Sequence, residues 1–172
     1  MTGTDPGAGV FPSSTGAVDG GGILVLALGN DLLGDDGVGL LAARQLRDHA
    51  AASITVEETS EAGLALMEIM SGYDRVLILD AVMTGEVDPG TIVEFSAENF
   101  DRVVAPSPHY AGIPEVLDMS ERLGIPFPGD IRILGMEVVN PFDFREGLSP
   151  AVGGALAEFV ERALAILETW RD

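Results

Sequence analysis

The chain has no cysteine, and all nine of its basic residues are arginine. Without a thiol there can be no cysteine nucleophile, no disulfide and no thiolate metal site. Without lysine, Walker-type P-loop enzymes, Schiff-base enzymes and protein kinases are excluded together. Cations are scarce altogether: the formal net charge is -19 over 172 residues. A phosphate-backbone partner needs clustered cations, so nucleic acid is not expected as a ligand. Long apolar runs are missing too. A run such as Ile23 to Leu28 is far too short to span a bilayer, and the N-terminal stretch lacks the basic start and apolar core of a signal peptide. The expectation is a cytoplasmic protein with no membrane partner, consistent with the absence of cysteine, and a monomer.

What is present points to one folded domain. Hydrophobic residues make up 47% of the chain, which argues against disorder throughout. Residues 1–22 are rich in Gly, Ser, Thr and Pro and read as a flexible tail, so the folded domain is expected over 23–172. ILVLAL (Ile23 to Leu28) is a continuous apolar run, as expected of a strand covered on both faces, and RVLILDAV (Arg75 to Val82) reads as a second buried strand with Asp80 near its C-terminal end. SITVE (Ser53 to Glu57) alternates like a half-buried strand, and TIVEF (Thr91 to Phe95) and IRILGMEV (Ile131 to Val138) complete the set. Only the turn-type residues Met83 to Gly90 separate the third strand from the fourth. A parallel crossover needs about a dozen residues or more, so the fourth strand should run antiparallel to the third. Helices are expected after the first strand, with Val38, Leu41, Ala42 and Leu46 on one face, and over Glu61 to Ser71 and Ile113 to Leu123. A last helix should open with Ser149 as N-cap and Pro150 at its first position, burying Val152, Leu156, Phe159, Val160, Ala163 and Leu167. Strands alternating with helices predict a mostly parallel α/β sheet covered on both faces.

An open sheet of this kind places its site beyond the carboxyl ends of its strands. Three segments should meet there: GNDLLGDDGVG (Gly29 to Gly39), the LDA around Asp80, and PSPHYAG (Pro106 to Gly112) with His109. Asp35 and Asp36 stand where a helix N-cap carboxylate would belong, which is the plain reading of either alone. Four glycines within Gly29 to Gly39 exceed what a turn and a cap require, and would let backbone pass close to a ligand. The G-x-G-x-x-G spacing of a dinucleotide loop is absent, and Asp31, Asp35 and Asp36 would repel a pyrophosphate. Asp80 follows four apolar residues in a buried strand, where an ionised carboxylate needs a partner or a metal. His109, fixed between Pro108 and Gly112, is one of two histidines; the other, His49, lies at a helix end, where charge stabilisation explains it. Asp36, Asp80 and His109 together would bind a divalent ion. Oxygen and nitrogen donors without thiolate suit nickel, zinc, manganese or iron, and do not choose among them.

These same segments resemble the hydrogenase maturation proteases. ALGNDLLGDDGVG looks like the family's signature after its first strand, LDA at Leu79 to Ala81 like its second motif, and SPH at Ser107 to His109 followed by Gly112 like its third, in the family's order and over roughly Ile23 to Leu167. The resemblance implies a single α/β domain with a twisted, mostly parallel five-stranded sheet between helices. It implies an endopeptidase that removes the C-terminal extension of the nickel-iron hydrogenase large-subunit precursor after nickel insertion. The family's three metal positions fall on Asp36, Asp80 and His109, which would recognise nickel supplied by the precursor. Many members have Glu where this chain has Asp36. Members often carry Asp-Gly-Gly after the second strand; here Glu58-Thr59-Ser60 keeps the acid and not the glycines. No H-E-x-x-H motif and no G-x-S-x-G elbow is present. Two other readings remain: an unrelated metal-dependent hydrolase or aminopeptidase with a resident metal, and a non-catalytic nickel-checkpoint module.

Overall fold

A computed structural model describes residues 22–49, 51–96 and 113–171. Five strands, β1 (Ile23–Leu28), β2 (Ile54–Thr59), β3 (Arg75–Val82), β4 (Ile92–Ser96) and β5 (Asp130–Glu137), form one sheet in the order β2-β1-β3-β5-β4. β1 pairs in parallel with β2 and β3, and β3 in parallel with β5; β4 runs antiparallel on the outer side of β5. The fourth strand is thus antiparallel in direction to β3, as its short connector requires, with β5 lying between them. The tail expected over 1–22 falls outside the described residues except for Gly22. That glycine is buried, and its carbonyl accepts the N–H of Asp74 at 3.0 Å.

Helices α1 (Val38–Arg47), α2 (Leu64–Met70), α3 (Ile113–Leu123) and α4 (Pro150–Thr169) cover the sheet. Every residue of β1 is buried, so it feeds cores on both faces. Val25, Ala27, Leu77, Leu79, Leu134 and Met136 meet α1 and α4. Leu24, Leu26, Leu28, Val76, Ile78 and Ile133 meet Leu66 and Met70 of α2, which packs with α3. Alternate residues of one strand serve opposite faces, as the pleat demands.

Three expectations need correction. Leu40, not Leu41, turns into the core from α1, because Gly39 sits against the sheet and centres the buried face on Leu40, Ala43 and Leu46. α2 begins three residues later than Glu61, since Gly63 adopts φ +61° just ahead of it. On α4 the buried stripe includes Ile166, while Leu156 is only half-buried.

Candidate active site

The sheet order changes sense between β1 and β3: β1 connects outward to β2, and β3 continues on its other side. A crevice opens at such a switch point beyond the carboxyl ends of the strands. A 3-10 turn, Gly34–Gly37, follows β1 and leads straight into α1. This turn packs against β3, which brings the two candidate acids to the same edge. Asp36 lies on the turn and is 2% exposed; Asp80 lies two residues before the end of β3 and is 0% exposed. One carboxylate oxygen of Asp80 accepts the N–H of Ala81 at 2.8 Å. His109 lies outside the described residues, and among those described no three acid or imidazole groups gather as a metal cluster.

The glycines hold this turn in place by letting backbone meet backbone. A Cβ on Gly39 would stand 2.4 Å from the carbonyl oxygen of Leu79 and 2.9 Å from that of Leu28, so α1 begins in direct contact with the ends of β3 and β1. A Cβ on Gly29, whose φ is +143°, would stand 2.1 Å from the carbonyl oxygen of Asp36. The close approach expected of this loop is therefore made by the chain to itself.

The capping expectation is not met. α1 has Gly37 as N-cap with no side-chain hydrogen bond to the cap. Asp35 reaches across the molecule instead. Its Oδ1 accepts the N–H of Ser149 at 2.5 Å and a guanidinium N–H of Arg145 at 3.0 Å. Ser149 is the N-cap residue of α4, and Pro150 opens that helix as expected. Leu33 also bridges to Arg145, so the loop after β1 and the loop after β5 run side by side. Asp35 is thereby a structural acid, and Arg145, which the sequence did not single out, is its counterion.

A cleft of about 310 Å³ beside β1 and β2 is lined by Asn30, Asp31, Arg44, Glu58 and Ser60. Arg44 donates to Asp31 at 2.7 Å and to Glu58 at 2.7 Å, and Arg47 pairs with the other oxygen of Glu58 at 2.7 Å. Hydrogen bonds to Asp31 and then Glu58 hold the Arg44 pKa well above its usual value, so this guanidinium stays charged. His49 sits past the end of α1 with Nδ1 3.0 Å from the Gln45 carbonyl oxygen, the helix-end position its sequence context implied.

Glu137 is a buried acid the sequence reading passed over. It is 2% exposed and accepts from Thr84 N–H at 3.1 Å, Thr84 Oγ1 at 2.8 Å and Gly85 N–H at 2.8 Å. Those bonds tie the turn after β3 to the end of β5. The only advance signal was an acid in an apolar strand, the same signal that marks Asp80.

Fold and site define a doubly wound α/β protein with buried carboxylates at its switch-point edge. Residues 42–166 match the family model described as hydrogenase maturation protease, a span that contains Asp80 and His109 and begins just after Asp36. The hydrogenase 2 maturation protease of Escherichia coli is 29% identical over 84% of this chain and 90% of its own length. Protein HupD of Rhizobium leguminosarum, a hydrogenase expression/formation protein, is 27% identical over 86% of this chain and 75% of its own. In three dimensions the hydrogenase maturating endopeptidase HybD of E. coli superposes with a TM-score of 0.76, at 27% identity, covering 86% of this chain and 93% of that one. HybD of Thermococcus kodakarensis gives 0.67 at 30% identity, covering 84% and 98%. This chain belongs to the hydrogenase maturation protease family. Among the described residues no helix is long and apolar enough to cross a membrane.

Proposed function

We propose that this protein is an endopeptidase that removes the C-terminal extension of the nickel-iron hydrogenase large-subunit precursor after nickel has been inserted. The observation that carries the reading is the pair of buried carboxylates, Asp36 and Asp80, brought to one edge of a sheet of this family. The names of its relatives, a hydrogenase 2 maturation protease and a hydrogenase maturating endopeptidase, supply the substrate class.

Nickel enters as part of the substrate. Asp36 and Asp80 would offer it oxygen donors and His109 a nitrogen donor. Such a set, with no thiolate, suits a borderline ion without gripping it, which favours sampling nickel that the precursor chiefly holds. Nickel held between precursor and protease would polarise the scissile carbonyl or activate a water. A carboxylate of the pair would take the proton of the attacking water, for return to the departing amine.

The test mixes chelator-stripped protease with precursor that does or does not contain nickel. Only the nickel-loaded precursor should be shortened. His109→Ala and Asp80→Asn should each abolish the shortening with circular dichroism unchanged, and His49→Ala should cut normally. Equal processing of nickel-free precursor would overturn the substrate-metal mechanism.

A further inference from the structure

The carboxyl edge of the sheet carries apolar side chains that the core does not use. Phe144 is 85% exposed and Leu32 is 68% exposed, and the Leu33–Arg145 bridge lays their two segments alongside each other. Val139 and Phe142 continue this exposure along the connection from β5 to α4, and Met83 adds to it just past the end of β3, next to β5. Single exposed apolar residues are ordinary, but five on adjoining loops at one edge mark an interaction surface. Among the described residues, acids outnumber cations on the loops around them. Glu86, Asp88, Asp143 and Glu146 are exposed on the same loops. Among the described residues, Arg44 and Arg145 at this edge are both engaged by carboxylates. Arg145 is also the link to the candidate site, since it holds Asp35, the neighbour of Asp36.

We propose that this acid-rimmed apolar surface docks a segment of the precursor that presents apolar and basic side chains together, and so orients the precursor for cleavage. Charge complementarity selects that occupant: a basic apolar segment gains from every charge on the rim, whereas a second copy of this acidic chain would meet like charge. The proposal rests on the protease reading above, and the experiment separates the two.

Cleavage of the nickel-loaded large-subunit precursor is measured for the wild type, the double variant Leu32→Ser/Phe144→Ser, Glu146→Arg, and the control Leu123→Ser. Leu123 is 64% exposed and closes α3, ahead of the start of β5 at the opposite edge. For the double variant KM should rise about tenfold, the effect of losing an aromatic anchor, with kcat within about twofold of wild type. Its melting temperature should be unchanged, because both side chains are exposed. Raising salt should raise the wild-type KM, and Glu146→Arg should raise KM at low salt and weaken that dependence. Leu123→Ser should behave as wild type. A double variant with wild-type KM would overturn the docking surface while leaving the protease reading intact. So would a wild-type dimer in sedimentation that these substitutions turn into a monomer, since the surface would then belong to a second copy. A wild type unable to cut nickel-loaded precursor would overturn the protease reading and the docking proposal with it.

Discussion

Asp35 Oδ1 lies 2.5 Å from the backbone nitrogen of Ser149, which is 114 residues further along the chain. This contact, with Arg145 on the same oxygen, clamps the loop after β1 to the start of α4. It also divides two adjacent aspartates between two jobs. Asp35 holds the loop, and its neighbour Asp36 is the one the proposed mechanism needs.

Asp35→Ala should therefore destabilise the fold by roughly 1–3 kcal/mol, because it removes a charge-assisted bond and leaves the part-buried N–H of Ser149 without its acceptor. Asp36→Asn should abolish cleavage in a protein that still folds. Urea unfolding and the precursor assay on both variants decide it; loss of activity without loss of stability in Asp35→Ala would reverse the assignment.

Gly39→Ala should cost about 1–3 kcal/mol, since the new methyl would press on the carbonyls of Leu79 and Leu28 and lift the start of α1 from the sheet. Activity should fall as well, because the 3-10 turn that carries Asp36 leads directly into that helix. A shifted denaturation midpoint with unchanged slope is the expected signature.

Glu137→Ala should lower stability by about 2 kcal/mol or more, because three donors from Thr84 and Gly85 lose their acceptor. The variant should still cut nickel-loaded precursor when assayed below its melting temperature. Abolished cleavage in a folded Glu137→Ala protein would move this acid from scaffold to chemistry.

Glu58→Gln should leave cleavage within about threefold of wild type and change stability by less than about 1 kcal/mol, the range of exposed ion pairs. Both oxygens of Glu58 are already held by Arg44 and Arg47. A cleavage defect much larger than that would give this acid, which lies within β2 one residue before its end, a part in the chemistry.

Much of this fold was legible because burial on both faces writes itself plainly: β1 is an unbroken apolar run, β3 is apolar apart from Arg75 and Asp80, and the observed bounds of both match the sequence reading. The direction of β4 followed from the length of its connector, but its place beyond β5 did not, since connector length limits how strands run and not which ones touch. The face of α1 was misjudged by one residue because Gly39, with no side chain to count, decides which residues turn inward. In the site, Asp36 and Asp80 were marked by their surroundings in the sequence. The partners of Asp35 and Glu137 were not. Ser149 and Thr84 are far away in sequence, so the donors that satisfy these carboxylates cannot be read from their neighbours.

The first and last described stretches of the chain come back to one place. Gly22 bonds to Asp74, and the carbonyl of Trp170 accepts from the next residue, Arg75, while the Trp170 indole donates to Asp130 at 2.8 Å. Arg75 and Asp130 are the first residues of β3 and β5, so this seam lies at the pole of the sheet opposite Asp36 and Asp80. The molecule thus has a handle at the pole opposite the candidate site. A label or surface tether attached beside Gly22 or Trp170 would leave the loops around the two aspartates facing outward, and a chain of residues 22–171 with these two positions joined by a short linker should tolerate circular permutation.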